Sequence, residues 1–253
     1  MLHMKSKFLF CCFLLAAFCL HAVAEQGSYD ASSYIKDGLL GHWDAISNRS
    51  VNEPHDPQAL VWTNLAADTM HATAGTKENT PVWTNGNAIA SLNPVATTGK
   101  GRFEFATSEE MLAALNTGTF TIQTTLKVAD SSDNMSPVWL AGGIGTRADY
   151  TGNHYFKWGL TQFAIGNYLS HWKAGTTDSI VWNGSQIIRS VGVGNCDRKV
   201  DVSSAPAGNL SGNSKIGHGF SDVYGGDMFI HSLRFYDRAL YGGFVHKCGS
   251  LKA

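Results

Sequence analysis

Phe120, Ile122, Thr124 and Leu126 alternate with Thr121, Gln123, Thr125 and Lys127, the period-two pattern of a strand with one face buried. Short apolar runs of the same kind recur at Asp37–Ile46, Val61–Leu65, Val82–Trp83, Gly101–Phe105, Pro137–Gly143, Tyr155–Leu160, Gln162–Ile165, Ser179–Trp182, Ile187–Val193 and Lys199–Val202. Most lie about 8–15 residues apart with Gly, Asn or Ser between them, the rhythm of an all-β sandwich or barrel. A last run follows Gly226, with Phe229, Leu233 and Phe235 on one face of an extended chain and Asp237 as the turn residue that ends it. Alternation also assigns Phe156, Trp158 and Phe163 to the core. One segment breaks the rhythm. Ser108–Leu115 starts with a capping serine, has acids in its first turn and places Met111, Leu112 and Leu115 on one side, so it predicts one short helix.

The first 24 residues read as an export signal, not as part of the fold. Lys5 and Lys7 precede the apolar stretch Phe8–Leu20, and Ala22-Val23-Ala24 supplies the small-x-small pattern for cleavage after Ala24. That stretch is too short to span a bilayer comfortably, so no membrane span is expected in the mature chain. Residues 25–36 form a polar, irregular lead-in, and 37–253 a single domain without internal repeats or linkers. With the signal gone, 17 cations and 20 acids remain, a net of −3. No basic stripe appears, which argues against a nucleic-acid partner. Cys11, Cys12 and Cys19 leave with the signal, and in an exported chain the remaining Cys196 and Cys248 are permitted to form a disulfide.

The sequence carries few of the residue patterns that catalysis would need. Glycoside hydrolysis on a sandwich needs two carboxyls about 5 Å apart on one strand face for retention. Glu109 and Glu110 are adjacent in the helical segment and Asp130 and Asp133 lie in a polar turn, so all four read as solvated charge. No G-x-S-x-G is present, and His42, His55, His71, His154, His171, His218, His231 and His246 lack metal-ligand spacing. Ala141–Gly145 is glycine-rich, but no helix pattern follows to offer a phosphate its N-terminus. Asp222 and Asp227 flank Tyr224-Gly225-Gly226 and make a candidate calcium pair, against the plainer role of turn acids bonded to backbone. The stronger signal is aromatic. Tyr150, His154, Tyr168 and Trp172 stand among Gly, Asn, Thr and Lys, a composition suited to stacking on the apolar face of a sugar while polar groups take its hydroxyls.

Several segments, taken together, resemble laminin-G-like (concanavalin A-like) jelly-roll domains of bacterial surface proteins. They are Asp37–Ala45 (DGLLGHWDA), His55-Asp56 with Trp62–Leu65, Phe120–Gln123, Ile216-Gly217, and Arg234–Leu240 (RFYDRAL). The match runs over roughly residues 37–245, although Tyr241-Gly242-Gly243-Phe244 stands where the acidic-apolar helix of that family is expected. The resemblance implies an antiparallel jelly-roll sandwich, a carbohydrate or glycosylated surface component as partner, and calcium as the metal to consider. The expected function is a secreted, non-catalytic recognition module. A divergent glycan hydrolase or lyase on the same sandwich and a structural or adhesive protein-binding domain are the alternatives. The sequons at Asn48, Asn134, Asn183 and Asn209 matter only in a eukaryotic secretory route.

Overall fold

A computed structural model describes residues 35–45, 60–74, 82–84, 88–91, 101–128, 135–148, 153–159, 161–167, 177–191, 196–201, 210–217 and 228–240. These belong to the compact unit 35–253, which is separate from residues 1–34.

Sixteen strands and one helix are described, in the order β1 (Leu39–Asp44), β2 (Val61–Trp62), β3 (Ala72–Ala74), β4 (Val82–Thr84), β5 (Ala88–Ser91), β6 (Arg102–Ala106), α1 (Glu109–Thr117), β7 (Phe120–Val128), β8 (Met135–Leu140), β9 (Ile144–Ala148), β10 (Asn153–Trp158), β11 (Thr161–Asn167), β12 (Thr177–Trp182), β13 (Gln186–Val191), β14 (Cys196–Asp201), β15 (Asn213–Gly217) and β16 (Met228–Tyr236). They make two antiparallel sheets. The front sheet runs β14-β13-β12-β7-β16-β5-β4, and β1 joins it by pairing with the C-terminal half of β16. The back sheet runs β11-β10-β9-β8-β15-β6-β3-β2. The expected all-β antiparallel sandwich with one short helix is what the chain forms.

The core lies between the sheets and is built largely of aromatic rings. Phe120 of β7 sits 5.9 Å from Phe235 of β16 within the front sheet, and 6.3 and 6.2 Å from Phe156 and Trp158 of β10 across the sandwich. Trp158 meets Trp182 edge-on at 5.1 Å, and Trp43 of β1 packs on Phe105 of β6 at 4.6 Å. Alternation therefore placed Phe156 and Trp158 correctly, and Phe163 is half-buried against the same cluster. The helix is also as expected: the Ser108 hydroxyl accepts from the Met111 N–H, and Met111 and Leu115 are fully buried.

Three segments depart from the sequence expectation. First, the final strand carries a bulge between Ile230 and Ser232, so Ile230 reaches the core together with Leu233 and Phe235. Second, Pro137–Gly143 is not one strand. Ala141 and Gly142 both take positive φ, 48° and 70°, the Gly143 N–H donates to the Leu140 carbonyl, and the chain returns as β9 with Ile144 opposite Leu140. Third, the strand expected over Val61–Leu65 stops at Trp62, because Asn64 turns inward to bond the edge of β1.

Asn64 uses the whole capacity of its amide. Its Oδ1 accepts from the His42 and Ala66 N–H groups at 2.8 and 3.0 Å, and its Nδ2 donates to the Leu40 and Thr69 carbonyls at 3.1 and 3.0 Å. Its own N–H donates to His71 Nδ1, and the Leu65 N–H donates to the His42 carbonyl. The loop thus supplies β1 with partners a further strand would otherwise provide. Trp43 and Trp62 are tied in by their indole N–H groups, which donate to the Met70 and Asp44 carbonyls.

Candidate functional site

The face of the back sheet turned away from the core carries aromatic and charged side chains, of which Gln162 and Ala164 are exposed, Tyr155, Arg147 and Lys215 half-buried, and Trp139 and Lys157 buried. On β10, Phe156 and Trp158 point to the core, so Tyr155 and Lys157 point out. Register then builds a row across the sheet: Gln162 faces Lys157, which faces Gly145, which faces Trp139, which faces Lys215, which faces Glu104. A second row places Ala164, Tyr155 and Arg147 side by side. Gly145 is required by the first row, since a Cβ there would overlap the Val138 carbonyl oxygen and lie 2.9 Å from Trp139 Cε3. The indole thus folds over the glycine toward Lys157, and Trp139 is only 7% exposed although it stands outside the core cluster.

Charge on this face is uneven. Arg147, Lys157, Lys215 and Arg102 are its cations among the described residues, and Glu104 is its one carboxylate, already paired with the Arg102 guanidinium. Lys157 is 4% exposed, and its amine is pushed below the usual lysine range first by burial and then by the charge of Arg147. Arg147 also reaches Gln162 across the intervening strand, Nη1 to Oε1 at 3.4 Å.

The outward face of the front sheet is polar but closed. His42 and Asp44 of β1 are both essentially inaccessible, with Nε2 and Oδ2 3.6 Å apart, an electrostatic contact rather than a good hydrogen bond. Arg234 and Ser232 of β16 stand opposite them, with Gln123 and Thr125 of β7 beyond. Burial pushes the His42 imidazole below its ordinary value; Asp44 opposes this and the Arg234 charge adds to it. Folding therefore disfavours the protonated imidazole relative to the unfolded chain, where its ordinary value is 6.5. Its contribution to stability is complete above about pH 6.5 and is lost as pH falls, at up to about 1.4 kcal/mol per pH unit. The melting temperature is expected to drop as pH falls below about 6.5, and His42→Gln to lessen that drop. An unchanged slope in the variant would assign the acid response elsewhere.

The aromatic and metal candidates are only partly placed. The backbone of His154 lies in β10 opposite Ala148 and Gly166. Its side chain, and Tyr150, Tyr168, Trp172, Asp222, Asp227 and Cys248, lie outside the described residues, as does the side chain of Cys196 in β14. Among the described residues, no group of three His, Cys, Asp or Glu is arranged to hold a metal. Glu109 and Glu110 are exposed in the first turn of α1, and the Glu110 carboxyl is held below its ordinary value by a backbone amide and the Ser108 hydroxyl. A general acid for glycoside cleavage needs the opposite shift. Sequence reasoning passed over Trp139, Arg147, Lys157 and Gln162. Alternation around Phe156 and Trp158 already implied that Lys157 faces outward, but the row it completes depends on cross-strand register.

Among the described residues no helix is long and apolar enough to cross a membrane. No protein-family model matches the chain, and no curated protein matches it either. Solved structures do. The chain is similar to a botulinum neurotoxin type C structure reported with the dependence of cell entry on two ganglioside molecules (TM-score 0.59, 10% identity, 83% of this chain and 50% of that one). A botulinum neurotoxin DC binding domain in complex with rat synaptotagmin II gives a TM-score of 0.57 at 11% identity over 82% and 50% of the two chains. A Trypanosoma rangeli sialidase in complex with sialic acid gives 0.53 at 13% over 80% and 31%. The chain spans about half the length of the toxin binding domains it matches. At these identities the shared property is the fold: a two-sheet antiparallel β-sandwich of the kind these proteins contain.

Proposed function

We propose that this chain is an exported, non-catalytic recognition module that binds carbohydrate or a glycosylated surface component. The observation that carries the reading is the outward face of the back sheet, where Tyr155 stands in register with Arg147 and beside Lys157 and Gln162. A half-buried phenol offers an apolar platform for a sugar ring, and the flanking donors match sugar hydroxyls. The structural neighbours are reported with gangliosides and sialic acid, which favours a glycan over other small ligands. In this reading the sandwich is of the laminin-G-like kind, Tyr150, His154, Tyr168 and Trp172 contribute to sugar binding, and residues 1–24 are removed after Ala24. Calcium at Asp222 and Asp227, and a Cys196–Cys248 bridge, belong to the same proposal.

A glycan-array screen of the purified chain, with and without calcium, tests it. Selective binding is expected, with about a tenfold loss in Tyr155→Ala, as removal of one stacked ring implies. Glycan binding unaffected by Tyr155→Ala would move the site off this face, and a blank array would reject the reading. An adhesive role is the second reading, favoured by Leu60 and Val61 at the β2 edge of the back sheet, 61% and 42% exposed. Saccharide release from a polysaccharide panel would instead favour an enzyme.

A further inference from the structure

We infer that His71 is an acid-operated latch: with a neutral ring it holds the loop 63–70 against β1, and with a proton it turns to Asp68 and lets that loop go. The latch sits where β1 of the front sheet meets β2 and β3 of the back sheet, so it is independent of the recognition reading above. Three observations point the same way.

The first is the chemistry of the ring. The Asn64 N–H donates to His71 Nδ1 at 3.1 Å, and a ring nitrogen accepts only through a free lone pair, so this bond exists with the neutral ring alone. Nε2 then carries the ring proton and stands 3.5 Å from the Asp68 carboxylate, a contact that strengthens when the ring becomes a cation. The two neighbours favour opposite states. Beyond Asn64, His42 and Asp44 of β1 face Arg234 and Ser232 of β16, and beside β3 the Glu104 carboxylate is already paired with Arg102. The second observation is access. The His71 side chain is 36% exposed and Asp68 fully so, and a proton reaches this ring without unfolding, as it does not reach His42. Histidine is the side chain whose charge changes between about pH 5 and 8. The third is stored strain. Met70, next to His71, takes φ 57°, a left-handed conformation that costs a non-glycine residue free energy. Hydrogen bonds hold it there: the Trp43 indole N–H donates to its carbonyl, and Asn64 Nδ2 donates to the Thr69 carbonyl before it. The bond from Asn64 to His71 is the anchor on its other side. With a proton on Nδ1 two N–H groups face each other, that anchor is lost, and relief of the strain at Met70 favours opening. Asn64 and Leu65 are the residues that bond the His42 N–H, the His42 carbonyl and the Leu40 carbonyl, so opening loosens the edge of β1.

Residue-resolved amide hydrogen exchange of the full chain tests the inference, followed by NMR from about pH 7.5 to about 5.5 and corrected for the intrinsic rate. Protection of the His42, Asn64 and Leu65 amides is expected to fall about tenfold toward the acid end, while the core amides of Ile122 and Phe156 keep theirs. His71→Asn puts an uncharged acceptor where Nδ1 stands and should hold the protection through the whole range. His71→Ala should lose it already at neutral pH. Asp68→Asn removes the contact that rewards the cation, so the fall should move to lower pH. The nitrogen shifts of the His71 ring should report the proton on Nε2 at neutral pH. A proton on Nδ1 there, or an acid response undiminished in His71→Asn, would overturn the latch. An equal loss of protection in the core amides would mean that acid acts on the whole domain through other groups, and would overturn it too.

Discussion

Asn64→Ala is expected to destabilise the domain by about 3–5 kcal/mol, seen as a lower urea midpoint with an unchanged slope. The side chain is small and its apolar burial is slight, so the effect comes from hydrogen bonding. Four backbone groups, the His42 and Ala66 N–H and the Leu40 and Thr69 carbonyl, lose their partner together. Asn64 is almost wholly buried, its bond to His42 is buried and the other three are part-buried, so water replaces them only in part, and each orphaned buried group costs on the order of 1–3 kcal/mol. In a domain of this size such a loss lowers the melting temperature by roughly 10 °C. Asn64→Asp separates the causes. The carboxylate can still accept from His42 and Ala66 but faces the two carbonyls with no donor, so it should be as damaging at neutral pH. It should recover part of the loss near and below about pH 4, where protonation returns one donor. If Asn64→Ala costs under about 1 kcal/mol, the loop is not what holds the edge of β1.

The second large effect is expected at Phe120. This ring is fully buried and touches aromatic groups on both sheets: Phe235 in its own layer, Phe156 and Trp158 in the other. Phe120→Ala should cost about 3–5 kcal/mol, the transfer of the ring plus the cavity left among rigid neighbours that cannot collapse into it. Phe120→Leu should cost much less, since it keeps most of the volume. Near-equal losses for the two would mean that aromatic packing, not filled space, is the stabilising element. Because Phe156 and Trp158 flank Lys157 on β10, the Phe120→Ala cavity should also loosen the strand that presents the candidate site.

Much of this core was readable before any coordinates, and the reasons are local. Phe120, Ile122 and Leu126 alternate without interruption, and Ser108 with the acids after it marks a helix start by capping chemistry alone. What escaped depends on partners distant in the chain. The bulge that turns Ile230 inward is visible only in its pairing with Leu126. Val61–Leu65 has the composition of a strand, and only the need of β1 for edge partners explains why Asn64 leaves it. The glycine run near Ala141 carries no helix pattern after it, but its hairpin geometry lies in positive φ values that composition does not show. The candidate site was less legible than the fold. Aromatic composition directed attention to the flanks of β10 and β11, whereas the described site residues, Trp139, Arg147, Tyr155, Lys157 and Gln162, belong to four strands that only register brings together.

The central claim is that the outward face of the back sheet receives a saccharide. The most direct measurement is backbone chemical-shift mapping of the isotope-labelled chain during titration with sialyllactose and hyaluronan oligosaccharide. Shifts should concentrate on β8–β11, centred on Arg147, Tyr155 and Lys157, with the front-sheet residues His42, Gln123 and Arg234 unmoved. Shifts confined to the front sheet, or to the β2 edge around Leu60 and Val61, would contradict it.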